Sequence, residues 1–284
     1  MLVQNGCFDH TGKMKITVMG SGTSHGVPVV GCSCPVCRSS DMRDKRMRAS
    51  LYIKGQGGEG IVIDTGPEFR IQAVRAGIGC LDAILITHAH ADHIHGLDDI
   101  RPLSREQPIP VFTSAQTVSE IQERFSYIFK ETQAGGGKPR LTLSAVSVPF
   151  RIGGLYCKPV PLKHGILDVL GWRIDEEKPG AGRTSFVYLT DTNYIPPASL
   201  PLIAKPDLLI IGALRVRPHT THFNFEQAVT AALEIGAKRA LLTHICHDLK
   251  HEEIETYCRN FLRLRGIEEI SIAPAYDGLE LCLE

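Results

Sequence analysis

Apolar residues come along the chain in short runs, each closed by glycine, proline or a polar cluster. ITVMG (16–20), SLYIK (50–54), GIVIDTG (60–66), AILITH (83–88) and PIPVFTS (108–114) are rich in β-branched residues and too short for helices, so they predict strands. AQTVSEIQERFSYIF (115–129) predicts a helix, and TQAGGGKPR (132–140) a glycine–proline loop. LTLSAV (141–146), YCKPVPL (156–162), TSFVYLTD (184–191) and DLLIIGAL (207–214) predict more strands, and VLGWRI (169–174) places the single Trp172 as a strand packing residue. FNFEQAVTAALEIG (223–236) repeats its apolar positions at the helical period and stops at glycine, as helix C-termini do. KRALLTHICHD (238–248) is the last strand-to-loop junction, and HEEIETYCRNFLRLRG (251–266) a helix closing on Gly266. ILITHAH and ALLTHICH are both apolar strands that end in Thr-His with another histidine soon after. Two similar halves, each delivering side chains from its strand ends, would read this way.

With 284 residues, 43% of them hydrophobic, the chain has ample core for one large domain or two small ones. Residues 1–13 (MLVQNGCFDHTGK) read as a loose extension, with Met14 as an alternative start, and 14–284 as one domain. Formal net charge is zero, so no global field draws in nucleic acid or an anionic membrane. No stretch reaches the roughly 18 apolar residues needed to cross a bilayer, and the opening lacks the apolar centre of a signal peptide. A cytoplasmic location is therefore expected, where the nine cysteines read as metal ligands if grouped and as small core residues if scattered.

The chemistry is concentrated at the end of AILITH, in the sequence H-x-H-x-D-H formed by His88, His90, Asp92 and His93. Imidazole and carboxylate suit Zn²⁺, Mn²⁺ or Fe²⁺ alike. Four such groups beside a buried strand stay unsatisfied without a cation; the bland reading is a solvated histidine-rich turn.

H-x-H-x-D-H resembles the metallo-β-lactamase superfamily, whose members divide this motif between two metals, roughly 3.5–4 Å apart. The resemblance implies a four-layer αββα sandwich, an α/β fold of two mixed β-sheets with helices outside. It also implies further ligands at later strand ends: His164 in PLKHG, the bridging Asp191 in YLTDT and His244 in LLTHI, all present in that order. Asp64 in IVIDTG matches the aspartate that supports the ligand loop by hydrogen bonds. The activity so implied is attack by a metal-activated water on an ester carbon or phosphorus, with Asp92 a metal ligand, a base, or both.

GCSCPVC supplies Cys32, Cys34 and Cys37, three thiolates for one tetrahedral ion. His247, three residues past His244, is the candidate fourth ligand of a structural Zn²⁺; a redox dithiol and plain core cysteines are the rival readings. A Cys₃ loop after the first strand, with T-H-x-x-H near the end, resembles the PhnP-type phosphodiesterases, which hydrolyse cyclic phosphodiesters with a dimanganese-type centre and carry a structural zinc. Those proteins use an extra histidine near the leaving group, matched here by His222 in HTTHFNFEQAV, with His219 the weaker match. A helix-capping or surface role is the alternative for His222. The resemblance further implies a small phosphodiester substrate and a homodimer.

Neighbouring families remain open. A tRNA 3′-processing nuclease shares the metal motifs but adds a basic, glycine-rich arm that is not evident here, and neutral charge counts against a polyanionic partner. Thioester and lactam hydrolases generally lack the Cys₃ loop. A non-catalytic PqqB-like accessory protein would be expected to lack part of the ligand set, and this chain keeps all seven ligands. Residues 38–48, RSSDMRDKRMR, read either as a solvated face or as a source of arginines for a substrate phosphate. His25, in GSGTSHGVP, is a candidate to face the site; His10, His95 and His251 read as surface residues; Cys7, Cys80, Cys157, Cys246, Cys258 and Cys282 read as core or incidental thiols.

Overall fold

The structure, a computed structural model, describes residues 13–131, 137–177, 180 and 182–283. Nearly all of the expected N-terminal extension, with Cys7 and His10, and residues 132–136 of the glycine–proline loop lie outside them. Two seven-stranded sheets face each other. The first runs in the order β14-β1-β2-β3-β4-β5-β6, from β1 (Met14–Gly20), β2 (Ser50–Lys54), β3 (Gly60–Ile63), β4 (Ala83–Leu85), β5 (Ile109–Thr113), β6 (Leu141–Ala145) and β14 (Glu280–Leu283). The second runs β13-β12-β11-β10-β9-β8-β7, from β7 (Phe150–Ile152), β8 (Leu155–His164), β9 (Leu167–Glu177), β10 (Arg183–Leu189), β11 (Leu208–Gly212), β12 (Arg239–Thr243) and β13 (Ser271–Pro274). Each sheet is antiparallel at one side and parallel at the other, so the echo between ILITHAH and ALLTHICH reflects two halves of like build, with the motifs following β4 and β12.

Strand alternation explains the layering. Ile61 and Ile63 face the core between the sheets while Val62 faces the outer helices, and Leu208 and Ile210 face inward while Leu209 and Ile211 face outward. Trp172 fills the inter-sheet core. α1 (Phe69–Arg75) and α3 (Ala115–Arg124) flank the first sheet. α6 (Phe225–Ile235) and α7 (His251–Leu264) cover the second, giving the αββα sandwich. The helix expected over 115–129 breaks at Phe125 (φ −111°, ψ 37°), and its last residues form α4 (Ser126–Phe129). Among the described residues no helix is long and apolar enough to cross a membrane.

The basic run 38–48 is only partly a solvated face: Arg38 is exposed, but the other four cations are tied to groups of the protein. Arg46 is buried; it donates to Cys246 O (2.5 Å), Leu249 O (3.0 Å) and Asp44 Oδ1 (3.1 Å). Arg48 pairs with Glu68 and Arg43 with Asp41. His251 is likewise buried, not a surface residue; its backbone N–H donates to Asp44 Oδ1 (2.7 Å), at the start of α7. Arg46 and Asp44 thus tie the segment after the cysteine loop to the 244–251 loop. Arg46→Met should cost about 3–5 kcal/mol, because it leaves Asp44 buried without its cation. Urea unfolding of the metal-loaded protein checks this, and a loss under 1 kcal/mol contradicts the buried pairing.

Candidate metal centre

The seven residues expected at the centre converge from separate strand ends. His88, His90, Asp92 and His93 lie on the segment after β4, with Asp92 and His93 in the single turn α2 (Ala91–Ile94). His164 ends β8, Asp191 follows β10 and His244 follows β12. They make two groups whose potential ligand atoms each fall within 4.8 Å of one another: His88, His90, His164 and Asp191, and Asp92, His93, Asp191 and His244. Asp191 belongs to both. Its Oδ2 lies 3.9 Å from His88 Nε2, and its Oδ1 lies 3.1 Å from His244 Nε2 and 3.4 Å from His93 Nε2.

The surrounding bonds set which ring nitrogen faces inward. His93 Nδ1 donates to Asp64 Oδ2 (2.7 Å), and His164 Nδ1 donates to Thr221 O (2.7 Å). Thr87 Oγ1 donates to Asp64 Oδ2 (2.9 Å) and so accepts from His88 Nδ1 (3.0 Å). Asp64 also accepts from the Thr87 N–H (2.8 Å), matching the supporting role expected of it. Nε2 of His93 and of His244 is left buried with no hydrogen-bond partner. Buried, partnerless imidazole nitrogens aimed at carboxylates are the donor set a pair of divalent cations would satisfy, so the residues fit such a centre.

Charge balance in the protein itself points the same way. Burial opposes ionisation of Asp191, but His244 and His93 beside it hold its carboxyl well below the usual range. Asp92 is held low against its burial by His93 and His244. Burial pushes His88 and His90 down, so they are neutral and able to ligate. Asp64→Asn keeps a residue tolerant of the left-handed backbone here (φ 61°). The amide has a single acceptor oxygen for three donors, so metal retention in a chelator competition should weaken about 10- to 100-fold; an unchanged profile would sink the supporting role.

The cysteine loop closes a second cluster. Sγ of Cys32 and of Cys34 lies 3.4 Å from His247 Nδ1, and Sγ of Cys37 lies 3.5 Å away. A tetrahedral zinc with bonds of ordinary length has sulfur–nitrogen edges of roughly 3.5 Å, so this set fits too. Burial is outweighed at Cys34 by the Cys37 N–H and His247, which bring its thiol down to about 6, while burial pushes Cys37 up to about 11. A cation would be needed to hold all three as thiolates.

His222 lies three residues before α6, behind the capping box of Asn224 and Gln227. Phe223 N–H donates to Thr192 O (2.8 Å), fixing the segment beside Asp191. The His222 ring stacks on His244 (4.9 Å between centroids), and its Nδ1 lies 4.0 Å from Asp191 Oδ2. Burial, then His244, pushes its pKa down to about 3. His219 is one ring further out, 5.1 Å from His222, and His25 packs edge-on against His247 (5.4 Å). Sequence reasoning missed Arg215 and Arg217, which line the cavity between these histidines; their spacing carried no motif.

The Beta-lactamase superfamily domain matches residues 60–245. The chain is 37% identical to an octanoyltransferase from Porphyromonas gingivalis over 95% of its own length, but spans about half (52%) of that relative. It superposes on a new diphosphatase from the PhnP family with a TM-score of 0.79 at 38% identity, covering 95% of this chain and 96% of that one. Zn²⁺-bound PqqB from Methylobacterium extorquens shares the fold (TM-score 0.74, 16% identity, 94% and 99% covered). On the domain match and the paired-sheet architecture together, the chain belongs to the β-lactamase superfamily and has the metallo-β-lactamase fold.

Proposed function

We propose that the protein is a metal-dependent phosphodiesterase acting on small phosphodiesters. The observation that carries this is the shared Asp191, set between two complete donor groups, with the buried Nε2 of His93 and of His244 left without a hydrogen-bond partner. Similarity over nearly full length to a PhnP-family diphosphatase supports phosphorus, rather than acyl carbon, as the electrophile. Two divalent cations held by these groups, Mn²⁺ or Zn²⁺, would polarise the phosphoryl oxygens and make water nucleophilic near neutral pH.

The chain's own residues do the rest. Asp64 and Thr87 keep His93 and His88 oriented, and the Thr221 carbonyl keeps His164 oriented, so the site is preorganised before substrate enters. Asp92, held ionised, is able to accept a proton from water. His222 is neutral in the free site because burial disfavours its charge. It therefore meets the leaving group as an N–H donor, and an anionic phosphoryl group beside it would draw its pKa back up toward that of an acid. Cys32, Cys34, Cys37 and His247 would hold a structural zinc away from the chemistry.

The test is hydrolysis of bis(p-nitrophenyl) phosphate by metal-stripped protein reloaded with Mn²⁺ or Zn²⁺, beside a chromogenic lactam and a thioester. Turnover of the phosphodiester alone is expected. Turnover of the lactam or thioester instead, or inertness towards all three with metal bound, would reject the reading.

A further inference from the structure

Three of the strand ends that deliver ligands place a buried threonine immediately before the ligand: Thr87 before His88, Thr190 before Asp191 and Thr243 before His244. The three hydroxyls are used differently. Thr87 Oγ1 bonds to Asp64 and His88. Thr243 Oγ1 is buried without a hydrogen-bond partner, as is Nδ1 of the adjoining His244. Thr190 Oγ1 donates to Oδ1 of Asp191 (2.8 Å), the carboxylate common to both donor groups.

A strand does not supply that contact by default. Successive side chains leave a strand on opposite faces, so Thr190 and Asp191 would point apart if β10 simply ran on. The left-handed backbone at Asp191 (φ 47°) ends the alternation and brings the carboxylate back to the hydroxyl. The backbone is held on both sides, by the pairing of β10 with β9 and β11 and by the Phe223 N–H donating to Thr192 O (2.8 Å). What remains free is rotation of the carboxylate about its bond to Cβ, a broad torsion without sharp staggered wells. The two donor groups do not depend on that rotation equally. Oδ1 lies 3.1 Å from His244 Nε2 and 3.4 Å from His93 Nε2, in the group that also has Asp92. Oδ2 lies 3.9 Å from His88 Nε2, in the group whose other members are all histidines.

We propose that Thr190 is a positioning residue for the shared carboxylate: its hydroxyl pins Oδ1, so that Oδ2 is kept for the group of His88, His90 and His164. The proposal rests on the two-metal part of the phosphodiesterase reading and is independent of which ester is cleaved. Without the hydroxyl the carboxylate is free to turn away from the all-histidine group, which has no second carboxylate to fall back on. The other group keeps Asp92 whichever way Asp191 turns. Partners that orient a ligating carboxylate are ordinarily worth about 10- to 100-fold in metal affinity. Here that loss falls on one ion of the two, a selectivity that a general loosening of the fold would not produce.

Three variants test this. Thr190→Val removes the hydroxyl at nearly constant shape, Thr190→Ser keeps it, and Thr243→Val removes a hydroxyl in the equivalent place that bonds to nothing. Each protein is loaded with Mn²⁺ at the centre and Zn²⁺ at the cysteine loop, whose thiolates select zinc. Mn²⁺ per chain is then counted by mass spectrometry against rising chelator concentration. In Thr190→Val one Mn²⁺ per chain is expected to leave at about 10- to 100-fold lower chelator than in the wild type, and the second near the wild-type position. Thr190→Ser and Thr243→Val should follow the wild type. If Thr190→Val does not fold, Thr190→Ala is read against Thr190→Ser in its place. Release unmoved by loss of the hydroxyl, equal weakening of both ions, or the same weakening in Thr190→Ser or Thr243→Val would overturn the role of Thr190. With two Mn²⁺ held per wild-type chain, each of those results leaves the phosphodiesterase reading standing. A wild type that holds fewer than two would reject that reading together with the proposal.

Discussion

Asp191→Ala is expected to lower kcat/KM on bis(p-nitrophenyl) phosphate at least about a thousandfold and to deplete metal from both halves of the centre together. The size follows from position. Every other donor serves one group, whereas Asp191 turns one oxygen to His88 and the other to His93 and His244. Removing it weakens two cation sites at once, and electrophilic stabilisation by metal is worth several kcal/mol at about 1.4 kcal/mol per tenfold in rate. Mass-spectrometric metal counts after gel filtration separate this from a simple catalytic lesion. Asp191→Asn is the sharper companion: it keeps the shape and the left-handed backbone (φ 47°) but removes the charge that offsets the surrounding imidazoles. If either variant retained full metal and activity within tenfold of wild type, Asp191 would not be the shared ligand and the phosphodiesterase mechanism would need another basis.

The centre could be read in the sequence because its donors sit at strand ends, where a polar residue after an apolar run has few roles other than a turn, a cap or a ligand. His164, Asp191 and His244 were placed by order and by resemblance; the fold brings them together without revision. What sequence could not show is the backbone that aims them. Asp64, Asp191 and His244 all have positive φ (61°, 47° and 56°), a conformation uncommon outside glycine that is tolerated where the surroundings over-determine it. Lys205 is the other non-glycine residue of this kind among the described residues.

The failures share a cause. A run of like charge is assumed to be solvated, yet Arg46 is desolvated by carbonyls some 200 residues away, contacts no local pattern encodes. Short strands at sheet edges, β7, β13 and β14, lack enough periodicity to stand out, and β9, read only at VLGWRI, hides the rest of its pattern because Arg173, Asp175 and Glu176 are buried with its apolar residues. The cavity lined by Arg215 and Arg217 was invisible for a further reason: it exists only where the loops after β1, β11 and β12 meet.

The second large effect is expected at the cysteine loop. Cys34→Ser should lower stability by about 4 kcal/mol, the contribution of a ligand present at about a thousand times its dissociation constant, and should reduce activity as well. Activity suffers because His247 lies three residues beyond His244, on the loop that Arg46 and Asp44 already hold to the cysteine segment. Releasing His247 from three thiolates frees the loop that aims His244 at Asp191. The loss is distinguishable from damage at the centre by replacing the metals with Co²⁺. Thiolate ligation gives a sulfur-to-metal charge-transfer band, absent from sites built of nitrogen and oxygen. The band should vanish in Cys34→Ser and persist in Asp191→Ala, whereas activity falls in both. A redox dithiol would behave otherwise: the thiols would react freely in the native protein, no such band would form, and Cys34→Ser would leave unfolding in urea where it is in the wild type.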